Sequence, residues 1–207
     1  MKKALLIGNY VDVQWHPLTG VDDEIKRILD DFDTEITENY SVLEIADLLK
    51  YDLIINYADT LETQATPDFA GALLGYVAGG RGLLTIHNGI IAQSIPEIEQ
   101  LIGASFTDHP PHEVIEYVPV NDHPIMENVG SFSIDEEPYQ FEMDNLARVT
   151  LILEYIYKGE SYPAAWVRRY GKGRSCYLQP GHNKATFTNE GFRSLLRNAA
   201  LWCIGDI

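Results

Sequence analysis

His87 is the side chain of this 207-residue protein best placed to do chemistry. It follows Gly82-Leu83-Leu84-Thr85-Ile86, an apolar run of strand length, and precedes Asn88-Gly89 and a helix-like stretch. A strand that ends in a polar residue and turns sharply, with glycine two places on, has the layout of a nucleophile elbow, in which a strained backbone exposes the tip side chain above a sheet. The competing reading is a turn histidine that merely ends a buried strand. His182 stands in a similar place, because Gln179-Pro180-Gly181-His182-Asn183 follows the strand Cys176-Tyr177-Leu178 and Gly181 lets the backbone turn. The run Asp135-Glu136-Glu137-Pro138-Tyr139 supplies carboxylates. Acidic runs are usually solvated surface, yet this one follows an apolar strand end. Two strand-end histidines and Glu137 make an acid/base constellation if they meet. Glu137 would then raise the pKa of the nearest histidine and favour a general acid near neutral pH. His109-Pro110-Pro111-His112 is weaker as a ligand pair, since the prolines forbid the helix that would align two histidines three apart, and a solvated loop is expected.

The elements that must position these groups alternate in type. Lys2 to Gly8, Asp33 to Tyr40, Tyr51 to Tyr57 and Gly82 to Ile86 read as strands, the first followed by an irregular loop holding Trp15-His16-Pro17. Val21 to Phe32 has apolar residues at helical spacing. Ser41-Val42-Leu43-Glu44 reads as a capping box opening a short helix to Lys50. Thr66-Pro67 supplies a cap and a first-turn proline for a helix to about Ala78, and Ile90 to Ile102 is expected to be helical. Short apolar strands alternating with helices predict a parallel sheet covered on both faces, with ligands at the carboxyl ends of the strands. That rim would carry Asn9, the His16 loop, Tyr57-Ala58-Asp59 and His87. From Phe106 to Tyr139 helix signals vanish. His112 to Val120, Arg148 to Tyr155, Pro163 to Tyr170 and Arg174 to Leu178 read as strands, with Tyr170-Gly171-Lys172-Gly173-Arg174 as a hairpin turn. A terminal amphipathic helix spans Asn189 to Cys203. No internal repeat or linker shows, so residues 1–207 are read as one domain.

Composition bounds the function classes. The chain is 45% hydrophobic and 11% aromatic, as a compact protein requires, and its net charge of −16 speaks against nucleic acid or an anionic membrane surface as partner. Cys176 and Cys203 have no paired spacing, suggest neither disulfide nor zinc knuckle, and are read as core residues. The basic, apolar start MKKALLIGNY is too short for a signal peptide, and no stretch has membrane-spanning length, so a cytoplasmic protein is expected.

Several stretches carry a resemblance: His123-Pro-Ile-Met-Glu-Asn-Val129, FSIDEEPYQF, YPAAWVRRYGKGR and PGHNKATFTNEGFRSLLRNAALW, together with the Gly82 to Gly89 elbow. In these the chain resembles the trehalose-utilisation (ThuA-like) family, over nearly its whole length and most specifically in the last 85 residues. The resemblance implies a class I glutamine amidotransferase-like fold, a flavodoxin-like three-layer α/β/α sandwich with a mainly parallel central sheet. It also implies a link to the metabolism of trehalose or related disaccharides. In the amidotransferases the elbow residue is a cysteine, completed by a downstream histidine and a glutamate. Here His87 holds the elbow and His182 the place of the histidine, so thioester hydrolysis of glutamine is not expected. The Gln14-Trp15-His16-Pro17 loop only loosely resembles the histidine-bearing segment of other members.

Three functions compete. The first is an isomerase, lyase or hydrolase acting on a sugar or keto-sugar, with His87, His182 and Glu137 catalytic and no cofactor. Asn88, Tyr139, His16, Asn183 and Trp15 are its candidate substrate-binding residues, and Tyr57 a rim residue; core roles for Tyr139, Trp15 and Tyr57 weigh equally. The second is a metal-assisted hydrolase in which His16, His87, His182 and Glu137 converge on a divalent ion. The third is a non-catalytic sugar-binding or assembly module on the same fold. A sheet edge or the terminal helix could form a homodimer, though no feature demands one.

Overall fold

The computed structural model describes residues 1–207, the side chain of Glu62 excepted. Eleven strands follow in chain order: β1 (Lys2–Ile7), β2 (Phe32–Thr37), β3 (Leu53–Asn56), β4 (Gly82–Ile86), β5 (Ala104–Asp108), β6 (Glu113–Pro119), β7 (Phe132–Glu136), β8 (Gln140–Met143), β9 (Thr150–Tyr157), β10 (Glu160–Tyr170) and β11 (Gly173–Leu178). The helices are α1 (Val21–Ile28), α2 (Ile45–Leu48), α3 (Leu61–Gln64), α4 (Pro67–Ala78), α5 (Pro96–Ile102) and α6 (Glu190–Ile204). Nine strands form one sheet in the order β2-β1-β3-β4-β11-β10-β9-β6-β7, while β5 and β8 pair separately.

The run β2-β1-β3-β4-β11 is parallel. From β11 outward the pairings are antiparallel. The flavodoxin-like layering therefore holds, and the sheet is mixed. Within the antiparallel half, β9, β10 and β11 are joined by tight turns with left-handed residues, Lys158-Gly159 between β9 and β10 and Gly171 between β10 and β11. Successive side chains of β1 show the layering: Ala4 and Leu6 join the core beneath α1 and α6, while Leu5 and Ile7 join the one beneath α2, α4 and α5. No helix is long and apolar enough to cross a membrane.

Two expectations are corrected. The capping box at α2 is Glu44 with Asp47, not Ser41 with Glu44, and Ser41 instead offers its carbonyl to the Thr66 hydroxyl. The helix expected from Ile90 is a 3-10 turn, His87–Ile90, with α5 starting only at Pro96. Proline excludes the helical region for the residue before it, and Ile95 accordingly has φ −131° and ψ 77°. β5 and β8 are strands not assigned from the sequence; β7, FSIDE, buries Ile134 and Glu136 on alternate positions beneath its acidic composition.

Candidate functional site

β4 and β11 are parallel neighbours with Ile86 opposite Leu178, so the residues just past them share one end of the sheet. His87 turns with φ 46°, the left-handed backbone of an elbow. The turn closes because Gly89 has no side chain: a Cβ there would lie 2.5 Å from the Asn56 carbonyl oxygen. Gly181, at φ 150°, lets the loop after β11 lie against the elbow, since its Cβ would stand 2.6 Å from Ile86 Cγ2. Tyr57 is fully buried and donates its hydroxyl hydrogen bond to the Gly181 carbonyl at 2.8 Å, so it braces the rim and is not exposed on it.

Four side chains converge here: His16, His87, Glu137 and His182, whose nearest ligand atoms all lie within 4.8 Å of one another. Glu137 Oε2 is 3.0 Å from His182 Nδ1, 3.4 Å from His87 Nε2 and 3.6 Å from His16 Nε2. His16 Nε2 is 3.2 Å from His182 Nδ1. Donors about 2.1 Å from a shared ion stand about 3.0 Å apart at octahedral cis angles and about 3.4 Å apart at tetrahedral ones. Four of the six separations among these atoms, 3.0 to 3.6 Å, fit a first-row divalent ion.

The outer side of each group is fixed as well. His87 Nδ1 donates to the Gln179 carbonyl at 2.6 Å, which leaves the Nε2 lone pair facing Glu137. His16 Nδ1 is bonded to Asp59. His182 is held through its backbone: the carboxylate of Glu136, fully buried, accepts from Gly181 N at 2.8 Å, His182 N at 3.0 Å and the Thr186 hydroxyl. Such outer partners orient ligating histidines and raise their basicity.

Protonation follows the surroundings. Burial depresses the pKa of His87, outweighs the influence of the nearby Glu137 carboxylate and favours the neutral ring. Burial also opposes charge on His16, but its bonds to Asp59 and Glu137 prevail and raise its pKa. Burial works against ionisation of Glu137 too, yet hydrogen bonds from His16 and His182 hold its carboxyl far below the usual range.

Beside the cluster opens a cleft of about 450 Å³ walled by Trp15, Ile91, Phe106, His109 and Tyr139 around Asp59 and Glu137. Trp15 is 63% exposed. Tyr139 is buried and stacks on His87 with ring centroids 4.0 Å apart, so only part of it reaches the cleft. Asn88 and Asn183 serve the framework: Asn88 Nδ2 donates to the Tyr57 carbonyl at 3.1 Å, and Asn183 Oδ1 accepts from Ala185 N at 2.8 Å. Asn88 Oδ1 is buried without a partner among the described residues. The His109 to His112 loop is part of the site region after all, with His109 in the cleft wall and the His112 ring 4.4 Å from that of His182. Asp59 and Glu136 are the functional groups sequence reasoning left unassigned. Asp59 had a usable signal, its place just past the strand Tyr51 to Tyr57.

The profile of a protein family described as ThuA, trehalose utilisation, matches residues 16–203. Among solved structures the chain is similar to a ThuA-like protein from Parabacteroides merdae ATCC 43184, with 17% identity over 99% of this chain and 90% of that one and a TM-score of 0.82. A ThuA-like protein from Bacteroides uniformis ATCC 8492 is 21% identical over 98% of this chain and 91% of that one, with a TM-score of 0.77. A cold-adapted β-galactosidase from Rahnella sp. R3 is 14% identical; 98% of this chain covers 31% of that one, with a TM-score of 0.72. No curated protein sequence matches the chain.

Proposed function

Since the chain belongs to the ThuA, trehalose-utilisation family, we propose that it is a metal-dependent enzyme acting on an uncharged carbohydrate such as a disaccharide or keto-sugar, in a cytoplasmic setting. The observation that carries this reading is the inward convergence of three histidine nitrogens and one carboxylate oxygen, with the His16 and His87 rings held by partners on their far sides and His182 held through its backbone. Acid/base catalysis by His87 alone is less well served, because a buried neutral imidazole whose Nδ1–H is committed to a carbonyl offers a lone pair and no proton.

His16, His87, His182 and Glu137 would hold the ion, with Asp59, Gln179 and Glu136 as their outer supports. When bound, such an ion supplies Lewis-acid polarisation of a sugar oxygen or of water. Trp15 offers an exposed aromatic face for a sugar ring, and Phe106 continues the wall. No lysine or arginine lines the cleft among the described residues, which suits a sugar without phosphate. His109 Nδ1 donates to the Pro110 carbonyl at 3.0 Å, leaving Nε2 free on a ring that lines the cleft, and we assign it proton transfer to or from substrate.

The test is element analysis of protein purified without metal affinity resin, followed by titration of chelator-treated protein with Zn²⁺, Mn²⁺ and Ni²⁺ and assay on a panel of disaccharides and keto-sugars. One ion per chain is expected, with affinity reduced at least ~100-fold in His87→Ala, and activity that needs the ion. Activity that survives complete chelation would return the site to metal-free His/Glu catalysis. Sugar binding without turnover would make the protein a binding module.

A further inference from the structure

At the other end of the sheet the arginines are arranged in a way the histidine site does not explain. Four of the eight arginines, Arg27, Arg81, Arg193 and Arg197, pair with carboxylates. The remaining four, Arg148, Arg168, Arg169 and Arg174, lie close together in sequence register, and none pairs with a side-chain carboxylate among the described residues. Three of them make a row. Arg169 on β10 lies directly opposite Arg174 on β11. Thr150, the first residue of β9, is opposite Val167, and Arg148, two residues before it, lines the same cavity as Arg169. Alternation puts Arg169 and Arg174 on the face that carries Val167, Cys176 and Ile152, beneath α6. Adjacent strands are about 4.8 Å apart, and like charges directly opposite on neighbouring strands are destabilising.

A cavity of about 390 Å³ opens over this row, lined by Arg148, Arg168, Arg169, Thr150, His123 and Trp202. Arg174 is fixed beside it, its guanidinium 5.0 Å from the Trp202 ring centroid and its Nη1 donating to the Trp202 carbonyl at 2.7 Å and to an Ile207 oxygen at 2.9 Å. Arg168 gives its Nη1 to the Gln100 carbonyl, while its Nε is buried without a partner among the described residues. Arg148 and Arg169 are exposed and have no hydrogen-bond partner among the described residues. On a chain of net charge −16, whose field repels anions in general, two exposed arginines without a counter-charge, beside a third held by Trp202 and Ile207, are a local exception.

We propose that the groove formed by Arg148, Arg169 and Arg174, with His123 and Thr150 beside it, is a binding site for the phosphate or diphosphate group of a small molecule. Guanidinium forks match the paired oxygens of phosphate, three in a row suit a group with two or more charges, and the Thr150 hydroxyl adds a neutral donor. The site is separate from the histidine cluster: Arg174 lies opposite Gly82, the first residue of β4, whereas His87 follows the last. The groove is a bounded cavity and not a broad basic surface, which favours a small molecule over a lipid bilayer.

Thermal denaturation and calorimetry of the full chain, with chloride held at matched ionic strength, test this. Inorganic phosphate and diphosphate should raise Tm saturably, diphosphate more, by at least about 3 °C at a hundredfold excess over its Kd. Arg148→Gln and Arg169→Gln should each weaken diphosphate binding at least about tenfold, and the His87→Ala variant should leave it unchanged. The sign of the effect without ligand separates binding from structure. Relief of like-charge repulsion should leave Tm of Arg169→Gln in chloride unchanged or higher, whereas a structural arginine would lower it. A sugar phosphate or nucleotide that outcompetes diphosphate identifies the carrier class. No saturable effect of phosphate or diphosphate, diphosphate binding retained in both variants, or a Tm loss in chloride equal to the lost ligand effect would overturn the proposal. So would tight binding to phosphatidylglycerol vesicles without any binding of soluble phosphates.

Discussion

Replacing Glu136 by glutamine tests the link between a buried carboxylate and the position of His182. Glu136 is fully buried and its Oε1 receives three donors: Gly181 N at 2.8 Å, His182 N at 3.0 Å and the Thr186 hydroxyl. Its Oε2 receives Glu137 N at 3.2 Å. A glutamine oxygen can keep the Oε1 contacts, but its amide nitrogen then meets the Glu137 N–H, donor against donor. Hydrogen bonds to a charged group contribute about 1.5–3 kcal/mol each, against about 1 kcal/mol for neutral ones. Three weakened bonds and one lost therefore cost about 3–4 kcal/mol after relaxation. For a chain of this size that is a fall in Tm of about 6–16 °C. The His182 imidazole would also swing off the shared point, and metal affinity should drop about 10–100-fold, as for other losses of an outer support. Scanning calorimetry with and without ion, paired with isothermal titration, reads both effects. A Glu136→Gln protein with unchanged Tm and unchanged affinity would refute the argument that this carboxylate aims His182. Unchanged affinity with a lowered Tm would confine Glu136 to folding.

Three further outcomes are expected. Gly89→Ala should destabilise by about 2–4 kcal/mol in urea titration, because its Cβ would meet the rigid Asn56 backbone, and an equally stable variant would count against the close packing of the elbow. In chelator, stability should fall as pH drops below the ordinary carboxylate value near 4.5, since Glu137 is depressed in the folded state, and Glu137→Gln should flatten that limb; His16, with a raised pKa, contributes with the opposite sign, present below 6.5 and lost as pH rises through its folded value. Trp15→Ala should weaken sugar affinity about 5–50-fold while changing Tm by less than about 1 °C, because the ring is mostly in solvent and packs little core.

The sequence made His87 legible for a physical reason: an apolar strand cut short by a polar residue and glycine has few other uses, and the left-handed φ bears this out. His182 was readable in the same way, by its place after a strand and a glycine. The meeting of these two with Glu137 and His16 was open to inference only through the rule that parallel strands bring their carboxyl ends together, and the pairing of β4 with β11 supplied it. Glu136 could not be told from Glu137 by type or spacing. What separates them is that β7 turns Glu136 inward toward the Gly181 and His182 amides, a contact 45 and 46 residues away. The neutral state of His87 was not legible, because complete burial is a property of the whole fold. The arginine row was hidden likewise, since Arg148, Arg169 and Arg174 become neighbours only through the fold.

The four inward donors come from segments far apart in the chain, with 166 residues between His16 and His182 and 50 between His87 and Glu137. An ion held by all four would act as a cross-link closing several long loops at once, and it could form only after nearly every strand of the parallel half was in place. Its capture would thus be a late step in folding, slow to begin and hard to reverse. Its release would signal that some distant part of the chain had let go, which makes ion retention a gauge of the integrity of the entire molecule.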